Sequence, residues 1–118
     1  YVDMTLEALS AFGVTAAWED SRTLAVPGGQ SYIPATVRVE GDWSQAAFWF
    51  AAISLGSRLE IEGLQQLSAQ GDRVIRDHFV RLTPPGDVDI DLSGCPDLAP
   101  PLAAMAVLRR GDTRLLNA

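Results

Sequence analysis

The order of its apolar patterns constrains this chain more than any other feature of the sequence. Two segments, residues 37–61 and 88–116, share one order: an extended stretch, a capped alanine-rich helix and a glycine-linked strand. Their spacing of about 50 residues is typical of a structural repeat. Strands that alternate with helices in this way favour repeated βαβ units. The sequence therefore predicts an α/β fold built from such units.

The individual elements are predicted from the spacing of apolar residues and from the residues that begin and end each run. Asp42 or Ser44 is expected to cap the second helix by accepting hydrogen bonds from its free N–H groups. The predicted helices cover residues 2–12, 45–55, 71–80 and 96–108. The predicted strands cover residues 14–26, 37–39, 59–61, 88–92 and 113–116.

Composition places the chain among globular proteins and excludes several kinds of chemistry. Of its 118 residues, 47% are hydrophobic and 20% are charged, which is the balance of a folded domain. The net charge of −6 argues against nucleic acid as a partner, because a phosphate backbone requires a clustered basic surface. All nine basic residues are arginines. Mechanisms that need a lysine from this chain, such as a Schiff base, are therefore excluded.

Two further features bear on localisation. The longest apolar run, Ala46 to Leu55, is shorter than the roughly 20 residues that a membrane-spanning helix needs. Cys95 is the single cysteine and has no disulfide partner within the chain, so nothing indicates an oxidising compartment. The sequence predicts a cytoplasmic protein that is neither membrane-bound nor secreted.

Few residues suggest chemistry on their own. Asp97 follows a proline at a predicted helix start, and is either a first-turn acid, which composition favours, or a carboxylate that accepts a proton from a substrate hydroxyl. His78 has no second histidine nearby and is interpreted as a surface or hydrogen-bonded histidine. Cys95 is interpreted as a small buried residue. The acids at 87, 89 and 91 are interpreted as a solvated strand face and not a calcium site.

The aromatic residues are expected to lie mostly in the core, because they carry large apolar surfaces. Trp43, beside Asp42, is the one candidate to face a cleft or a hinge. The residues in this group are Trp18, Trp43, Phe48, Trp49 and Phe50.

Five stretches, taken together and in register, resemble the 5-enolpyruvylshikimate-3-phosphate (EPSP) synthase family of the shikimate pathway, the enzymes that glyphosate inhibits. The resemblance covers essentially the whole chain. The matching stretches are YVDMT with FGV (1–5 and 12–14), VEGDWSQAA (39–47), QGDR (70–73), DID with CPDLAP (89–91 and 95–100) and TRLLNA (113–118).

The resemblance implies a fold of two inverse α/β lobes, each built from three βαβαββ units in an inside-out α/β barrel. Residues 1–40 would be the tail end of one lobe and residues 41–118 part of the second, with Gly41 and Asp42 at the hinge between them. The alternative is that both parts pack as a single fragment domain. The chain would correspond to about the middle quarter to third of a family member. The missing remainder of that parent chain would be the partner against which these residues pack. It would also be shortened between Arg81 and Asp87, where the family has another strand pair.

The resemblance also implies an activity in aromatic amino acid and chorismate biosynthesis. Family enzymes transfer the enolpyruvyl group of phosphoenolpyruvate to the 5-hydroxyl of shikimate 3-phosphate and release phosphate, with no metal and no cofactor. Asp97 matches the aspartate that contacts the shikimate hydroxyls and accepts a proton as the oxygen attacks. Tyr1 matches a tyrosine that lines the shikimate 3-phosphate site.

The sequence departs from the family pattern in its cations. The family's N-terminal lysine and arginine are absent, as is the Lys-Glu-Ser-Asp-Arg type segment expected shortly after Ala118. Because phosphate-bearing substrates need cationic clamps, the isolated chain is expected to be inactive.

Two alternatives stay open. One is a fragment of the related UDP-N-acetylglucosamine enolpyruvyl transferase. It ranks second because Cys95 precedes Pro-Asp at a helix start and does not lie in a basic, glycine-containing loop. The other alternative is a non-catalytic α/β binding module with an accidental or decayed match to the family.

Overall fold

The computed structural model describes all of residues 1–118, which form two compact units, Tyr1–Val39 and Glu40–Ala118. The fold is mixed α/β with two small two-stranded sheets. No helix is both long enough and apolar enough to cross a membrane. The assignment of the two units to two lobes of a larger barrel stays a prediction.

The first unit consists of one helix and one short hairpin. Helix α1 covers Val2–Ala11, which confirms the first predicted helix. Strands β1 (Ala17–Trp18) and β2 (Leu24–Ala25) pair antiparallel. The prediction of one strand over residues 14–26 is therefore wrong. The carboxylate of Asp20 accepts hydrogen bonds from two backbone N–H groups, at 2.7 and 2.8 Å, and closes a turn where the strand was expected to continue.

The second unit begins with a capped helix. Helix α2 covers Trp43–Ser54, and the Asp42 carboxylate accepts hydrogen bonds from the backbone N–H groups of Ser44 at 2.8 Å and Gln45 at 3.1 Å. Of the two predicted candidates, Asp42 is therefore the residue that caps α2. The Ser44 hydroxyl instead donates to the carboxylate of Asp72 at 2.6 Å.

One βαβ unit is present, in the segment predicted as the second of the two repeats. Strands β3 (Val88–Asp91) and β4 (Thr113–Leu116) pair in parallel, with Asp91 opposite Leu116. A 3₁₀ turn over Pro96–Leu98 leads into helix α4, Ala99–Ala106, and this connects the two strands. Parallel strands require such a crossover, because a tight turn reverses the chain direction.

The first predicted repeat does not form such a unit. The strands predicted at residues 37–39 and 59–61 are wrong, because neither segment is paired in a sheet. Val39 is 88% exposed, so the alternating pattern faces solvent where a buried face was predicted. Alternation favours an extended backbone, but a strand also requires a partner, and neither segment has one. The repeated barrel units are thus not seen beyond the β3–α4–β4 unit.

The core of the second unit lies between the β3–β4 sheet and three helices. The third of these, α3 (Ile75–Leu82), follows a 3₁₀ turn over Gly71–Val74 and confirms the third predicted helix. The core side chains come from α2, α3, β3, the turn after it and α4: Trp43, Ala47, Ala51, Ile75, Leu82, Ile90, Leu92, Cys95, Leu98, Leu102 and Met105.

The aromatic residues divide between core and surface. Trp43 is 2% exposed and stacks on Phe50, so its core position is confirmed and its alternative place at a cleft or hinge is wrong. The indole packs in the core, and the backbone carbonyl of Gln65 accepts its buried N–H at 3.2 Å. Phe48 and Trp49 are about half exposed on α2, as is Trp18 on the first unit, which contradicts their predicted core positions. The buried face of α2 is formed by Trp43, Ala46, Ala47 and Ala51, and Phe48 and Trp49 lie outside it.

The connection between α3 and β3 is short and is closed by one guanidinium group. Arg109 donates to the backbone carbonyls of Leu82 at 2.7 Å and of Pro84 and Gly86 at 2.9 Å. It also donates to the Thr113 hydroxyl at 2.6 Å. One side chain therefore joins the end of α3, the connection and the start of β4.

Candidate functional site

The carboxyl ends of β3 and β4 form the candidate site. Parallel strands end at the same edge of a sheet, and ligands of open α/β sheets bind outside that edge. β3 ends at Asp91, and the N–H of the next residue, Leu92, donates to the carbonyl of Leu116 at 2.9 Å. The chain then turns through residues 93–96 and enters α4.

Asp97 lies in the 3₁₀ turn that follows this edge. Its side chain is exposed, whereas Cys95 and Leu98 on either side of it are buried. Pro96 at the first position of the turn fixes the backbone that leads to Asp97. The prediction that Asp97 stands at a helix start is confirmed, and its role as a proton acceptor stays a prediction.

Asp91 holds the turn before Asp97. Its Oδ1 atom accepts a hydrogen bond from the backbone N–H of Ser93 at 2.9 Å and another from the side-chain amide of Asn117 at 3.0 Å. These bonds, with Ser93 the stronger contributor, lower the pKa of Asp91 below its ordinary value. No local sequence pattern predicts this arrangement, because 26 residues separate the two side chains.

The three alternating acids have different partners and confirm the solvated strand face. Asp87 accepts a hydrogen bond from the backbone N–H of Asp112 at 2.9 Å, and Asp89 pairs with Arg114 at 3.4 Å. Both carboxylates are exposed, as is Asp91. Nowhere in the chain do three His, Cys, Asp or Glu side chains come together as ligands for a metal ion.

His78 and Cys95 form a buried pair in the same unit. The Nε2 atom of His78 lies 3.9 Å from the Sγ atom of Cys95. Burial raises the pKa of the Cys95 thiol, and the carboxylates of Asp72 and Asp91 raise it further. Cys95 is confirmed as a small buried residue, and its raised pKa disfavours the thiolate, which is the nucleophilic form.

The environment of His78 differs from the predicted one. Its side chain is 6% exposed, and its Nδ1 atom is buried with no hydrogen-bond partner. The prediction of a surface or fully hydrogen-bonded histidine is therefore wrong. Burial lowers the pKa of His78, and the nearby Arg81 guanidinium lowers it further, so the imidazole stays neutral near neutral pH.

The predicted hinge residues lie at the start of the second unit. The N–H of Gly41 donates to the carbonyl of Gly63 at 2.9 Å, and a Cβ atom on Gly41 would lie 3.0 Å from that oxygen. The side chain of Gln70 donates to the carbonyl of Gly41 at 3.0 Å and accepts from the backbone N–H of Trp43 at 2.8 Å. Gln70, which the sequence did not single out, thus fixes the segment that contains Gly41 and Asp42.

Glu40 joins the same network. Its Oε1 atom accepts hydrogen bonds from the Ser68 hydroxyl at 2.6 Å and from the Gln70 side chain at 2.8 Å. The second carboxylate oxygen is buried and has no partner. These contacts bind the first residue of the second unit to the loop that precedes α3.

Tyr1 belongs to the first unit and is described there alone. It is the residue before α1, and its side chain is 86% exposed. Its carbonyl accepts hydrogen bonds from the N–H of Thr5 at 3.1 Å and from the Thr5 hydroxyl at 3.2 Å. The predicted contact of Tyr1 with substrate stays a prediction.

A cavity of about 500 Å³ lies beside the α3–β3 connection. None of the predicted site residues lines it. Its walls come from α2, α3, the α3–β3 connection, α4 and the segment after α4, and include Ile53, Phe79, Pro84, Met105 and Arg110.

Comparison with known proteins gives a consistent result. The family model described as EPSP synthase (3-phosphoshikimate 1-carboxyvinyltransferase) matches residues 1–118. A curated protein of Clostridium perfringens is 38% identical over 133 residues, and one of Clostridium kluyveri is 36% identical over 133 residues. A protein of the archaeon Aeropyrum pernix is 38% identical over 131 residues. All three are named 3-phosphoshikimate 1-carboxyvinyltransferase.

The matches differ in length from this chain. They cover 98 to 100% of it but 30 to 31% of each relative, so the chain spans about a third of the length of the curated relatives. The alignment with the Clostridium perfringens protein extends over 133 residues, more than the 118 of this chain. The relative therefore carries residues within this region that the chain lacks. Their position between Arg81 and Asp87 stays a prediction.

Proposed function

The chain belongs to the EPSP synthase family, and from this membership we propose that the complete polypeptide carrying it is an enolpyruvyl transferase. Its substrates would be phosphoenolpyruvate and shikimate 3-phosphate, and its place would be the biosynthesis of chorismate and the aromatic amino acids. Such an enzyme acts on phosphorylated metabolites, for which the cytoplasm is the expected compartment. The match of the family model over all 118 residues is the observation that carries the proposal.

The proposed reaction is an addition followed by an elimination. The 5-hydroxyl oxygen of shikimate 3-phosphate forms a bond to C2 of phosphoenolpyruvate while C3 gains a proton, which gives a tetrahedral adduct. The adduct then loses a proton from the methyl carbon that was C3 of phosphoenolpyruvate, and it loses the phosphate group from C2. This restores the double bond and leaves an enolpyruvyl ether and inorganic phosphate.

Asp97 is the proposed acceptor of the hydroxyl proton. A general base must reach the proton that it removes, and the exposed carboxylate of Asp97 stands at the edge where α/β sheets bind ligands. The buried Cys95 and Leu98 on either side of it give the short turn a fixed base. This placement supports the general-base role over that of a simple first-turn acid.

Other features of the family belong to the same proposal. Tyr1 would line the shikimate 3-phosphate site, and Gly41 and Asp42 would stand at the hinge between two lobes of an inside-out barrel. The 118-residue chain alone would be inactive, because it has no lysine and lacks the family's phosphate-binding segments. The raised pKa and burial of Cys95 argue against the UDP-N-acetylglucosamine transferase, whose catalytic cysteine lies in a basic loop.

The proposal is tested by phosphate release from the purified complete polypeptide that carries these 118 residues. We expect release that depends on both phosphoenolpyruvate and shikimate 3-phosphate, and none when either is omitted. UDP-N-acetylglucosamine in place of shikimate 3-phosphate serves as the control acceptor and should give no release. A folded polypeptide that releases phosphate only with UDP-N-acetylglucosamine, or with neither acceptor, would contradict the proposal.

A further inference from the structure

We infer that Asp91 and Asn117 are positioning residues, which together hold the turn carrying Asp97 against the chain segment that leaves β4. The inference rests on the proposed function for its catalytic consequence. The side chains of Asp91 and Asn117 are both exposed, so neither contributes to the core.

One carboxylate oxygen makes the connection. Oδ1 of Asp91 accepts the backbone N–H of Ser93, which starts the turn toward Asp97, and the side-chain amide of Asn117, which directly follows β4. Asp91 and Asn117 stand at the carboxyl ends of neighbouring parallel strands. The same atom therefore joins the two segments that leave this edge of the sheet.

The backbone of Asn117 supports the inference. Its φ of 57° makes it the one residue other than glycine with a positive φ in the chain. This left-handed conformation is unfavourable for most side chains, and asparagine tolerates it better than most. β4 ends directly before this residue. In this conformation the Asn117 amide donates its hydrogen bond to Asp91.

The turn itself transmits the constraint to Asp97. The N–H of Cys95 donates to the carbonyl of Leu92 at 3.0 Å, and the N–H of Leu98 donates to the carbonyl of Cys95 at 3.1 Å. Both Leu92 and Leu98 are fully buried, so the two ends of the turn are fixed in the core. Ser93 and Gly94 are exposed and lie between these fixed points, and the bond to Asp91 restrains Ser93.

A consequence for catalysis follows from geometry. A displacement of about 1 Å of a catalytic group can reduce a rate about 100-fold. Asp91 and Asn117 would therefore affect the rate through Asp97 without touching substrate. The ionised state of Asp91 strengthens both bonds that it accepts, since hydrogen bonds to a charged acceptor are stronger than neutral ones.

The test uses the complete polypeptide without substrate and compares two variants. Asn117→Gly retains access to the left-handed backbone and removes the amide. Arg114→Gln is the matched control, because it breaks the Arg114–Asp89 pair, which spans the same two strands away from the turn. Carboxyl chemical shifts and amide hydrogen exchange are measured by NMR.

For Asn117→Gly we expect the Ser93 amide to exchange about tenfold faster and the Asp97 carboxyl signal to shift, with neither effect in Arg114→Gln. Unchanged Ser93 exchange and an unchanged Asp97 signal in Asn117→Gly would overturn the inference. If Asn117→Gly does not fold, Asp91→Asn and Asp91→Ala replace it. Asp91→Asn keeps an acceptor oxygen but loses the charge, so it should protect the Ser93 amide more than Asp91→Ala does and less than the wild type does. Wild-type behaviour of Asp91→Ala would overturn the inference.

The catalytic consequence is measured in the complete polypeptide. We expect Asn117→Gly to lower kcat about tenfold or more with a smaller change in KM for shikimate 3-phosphate, because the misplaced Asp97 is the proton acceptor and only one of the groups that bind the substrate. An unchanged kcat would overturn this part. An inactive wild-type polypeptide would refute the proposed function. The NMR measurements need no substrate, so they would still decide whether Asp91 and Asn117 position the turn.

Discussion

The imidazole of His78 lies 3.9 Å from the thiol of Cys95, and both groups are buried in the unit that carries Asp97. The two groups respond to burial in opposite directions, the pKa of the thiol rising and that of the imidazole falling. Both are thereby kept neutral. This neutrality makes the stability of the unit sensitive to acid.

Acid is expected to destabilise the chain through His78. The unfolded state binds a proton near the ordinary histidine pKa of 6.5, whereas the folded state binds it only at lower pH. The free energy of unfolding therefore decreases as the pH falls below about 6.5, until the pKa of the folded state is passed. Urea unfolding at about pH 7.5 and about pH 5.5 measures the effect. His78→Gln, which cannot titrate, should lose less stability over this interval, and an equal loss in both proteins would contradict the assignment.

Gly111 is expected to tolerate no side chain. Its φ is 109°, and a Cβ atom there would lie 2.5 Å from the carbonyl group of Gly86. Gly56 has a similar φ of 101° but open space around it, so Gly56→Ala isolates the backbone strain, about 1–3 kcal/mol. Gly111→Ala should lower the free energy of unfolding by more than Gly56→Ala. Equal losses in chemical denaturation would show that the close approach to Gly86 is unimportant.

Arg109 is expected to stabilise the second unit through the α3–β3 connection. Arg109→Gln removes charge-assisted bonds to three backbone carbonyls and should reduce the free energy of unfolding by about 2–3 kcal/mol. The neighbouring Arg110 is exposed and serves as the control. Thermal or urea unfolding of Arg109→Gln and Arg110→Gln compares the two. A loss in Arg110→Gln as large as that in Arg109→Gln would refute the role of Arg109.

The cap of α2 is expected to contribute measurably. Asp42→Ala removes the acceptor for two N–H groups of the first turn and should cost about 1 kcal/mol. Asp42→Ser retains a capping oxygen and should cost only a fraction of that. The free energies of unfolding of the two variants decide the point. Equal destabilisation by serine and alanine would mean that the loss comes from something other than the cap.

Elements with local signals could be predicted from the sequence. The cap at Asp42, the proline at 96 and the glycine at 111 mark their helices directly, and the alternation around Ile90 marks β3. The segments at 37–39 and 59–61 show the limit of such signals. Alternating apolar residues indicate a half-buried surface, but pairing depends on a second segment that the local pattern does not specify.

In the candidate site too, the sequence predicts some features and misses others. Asp97 was identified through the resemblance of its CPDLAP segment, and the structure places it at the predicted helix start. Gln70 and the Asp91–Asn117 contact were missed, because each depends on polar residues more than 25 positions apart. Such long-range hydrogen bonds carry no periodicity, so only the folded chain reveals them.

The most direct test of the account is the turnover of the complete polypeptide with Asp97→Asn. As a general base, Asp97 should contribute roughly 100-fold to 10,000-fold to kcat. Asp77→Asn, which removes an exposed carboxylate on α3, provides the matched control. Phosphate release from phosphoenolpyruvate and shikimate 3-phosphate should fall by that factor in Asp97→Asn and stay at the wild-type rate in Asp77→Asn. A wild-type kcat in Asp97→Asn would contradict the central claim.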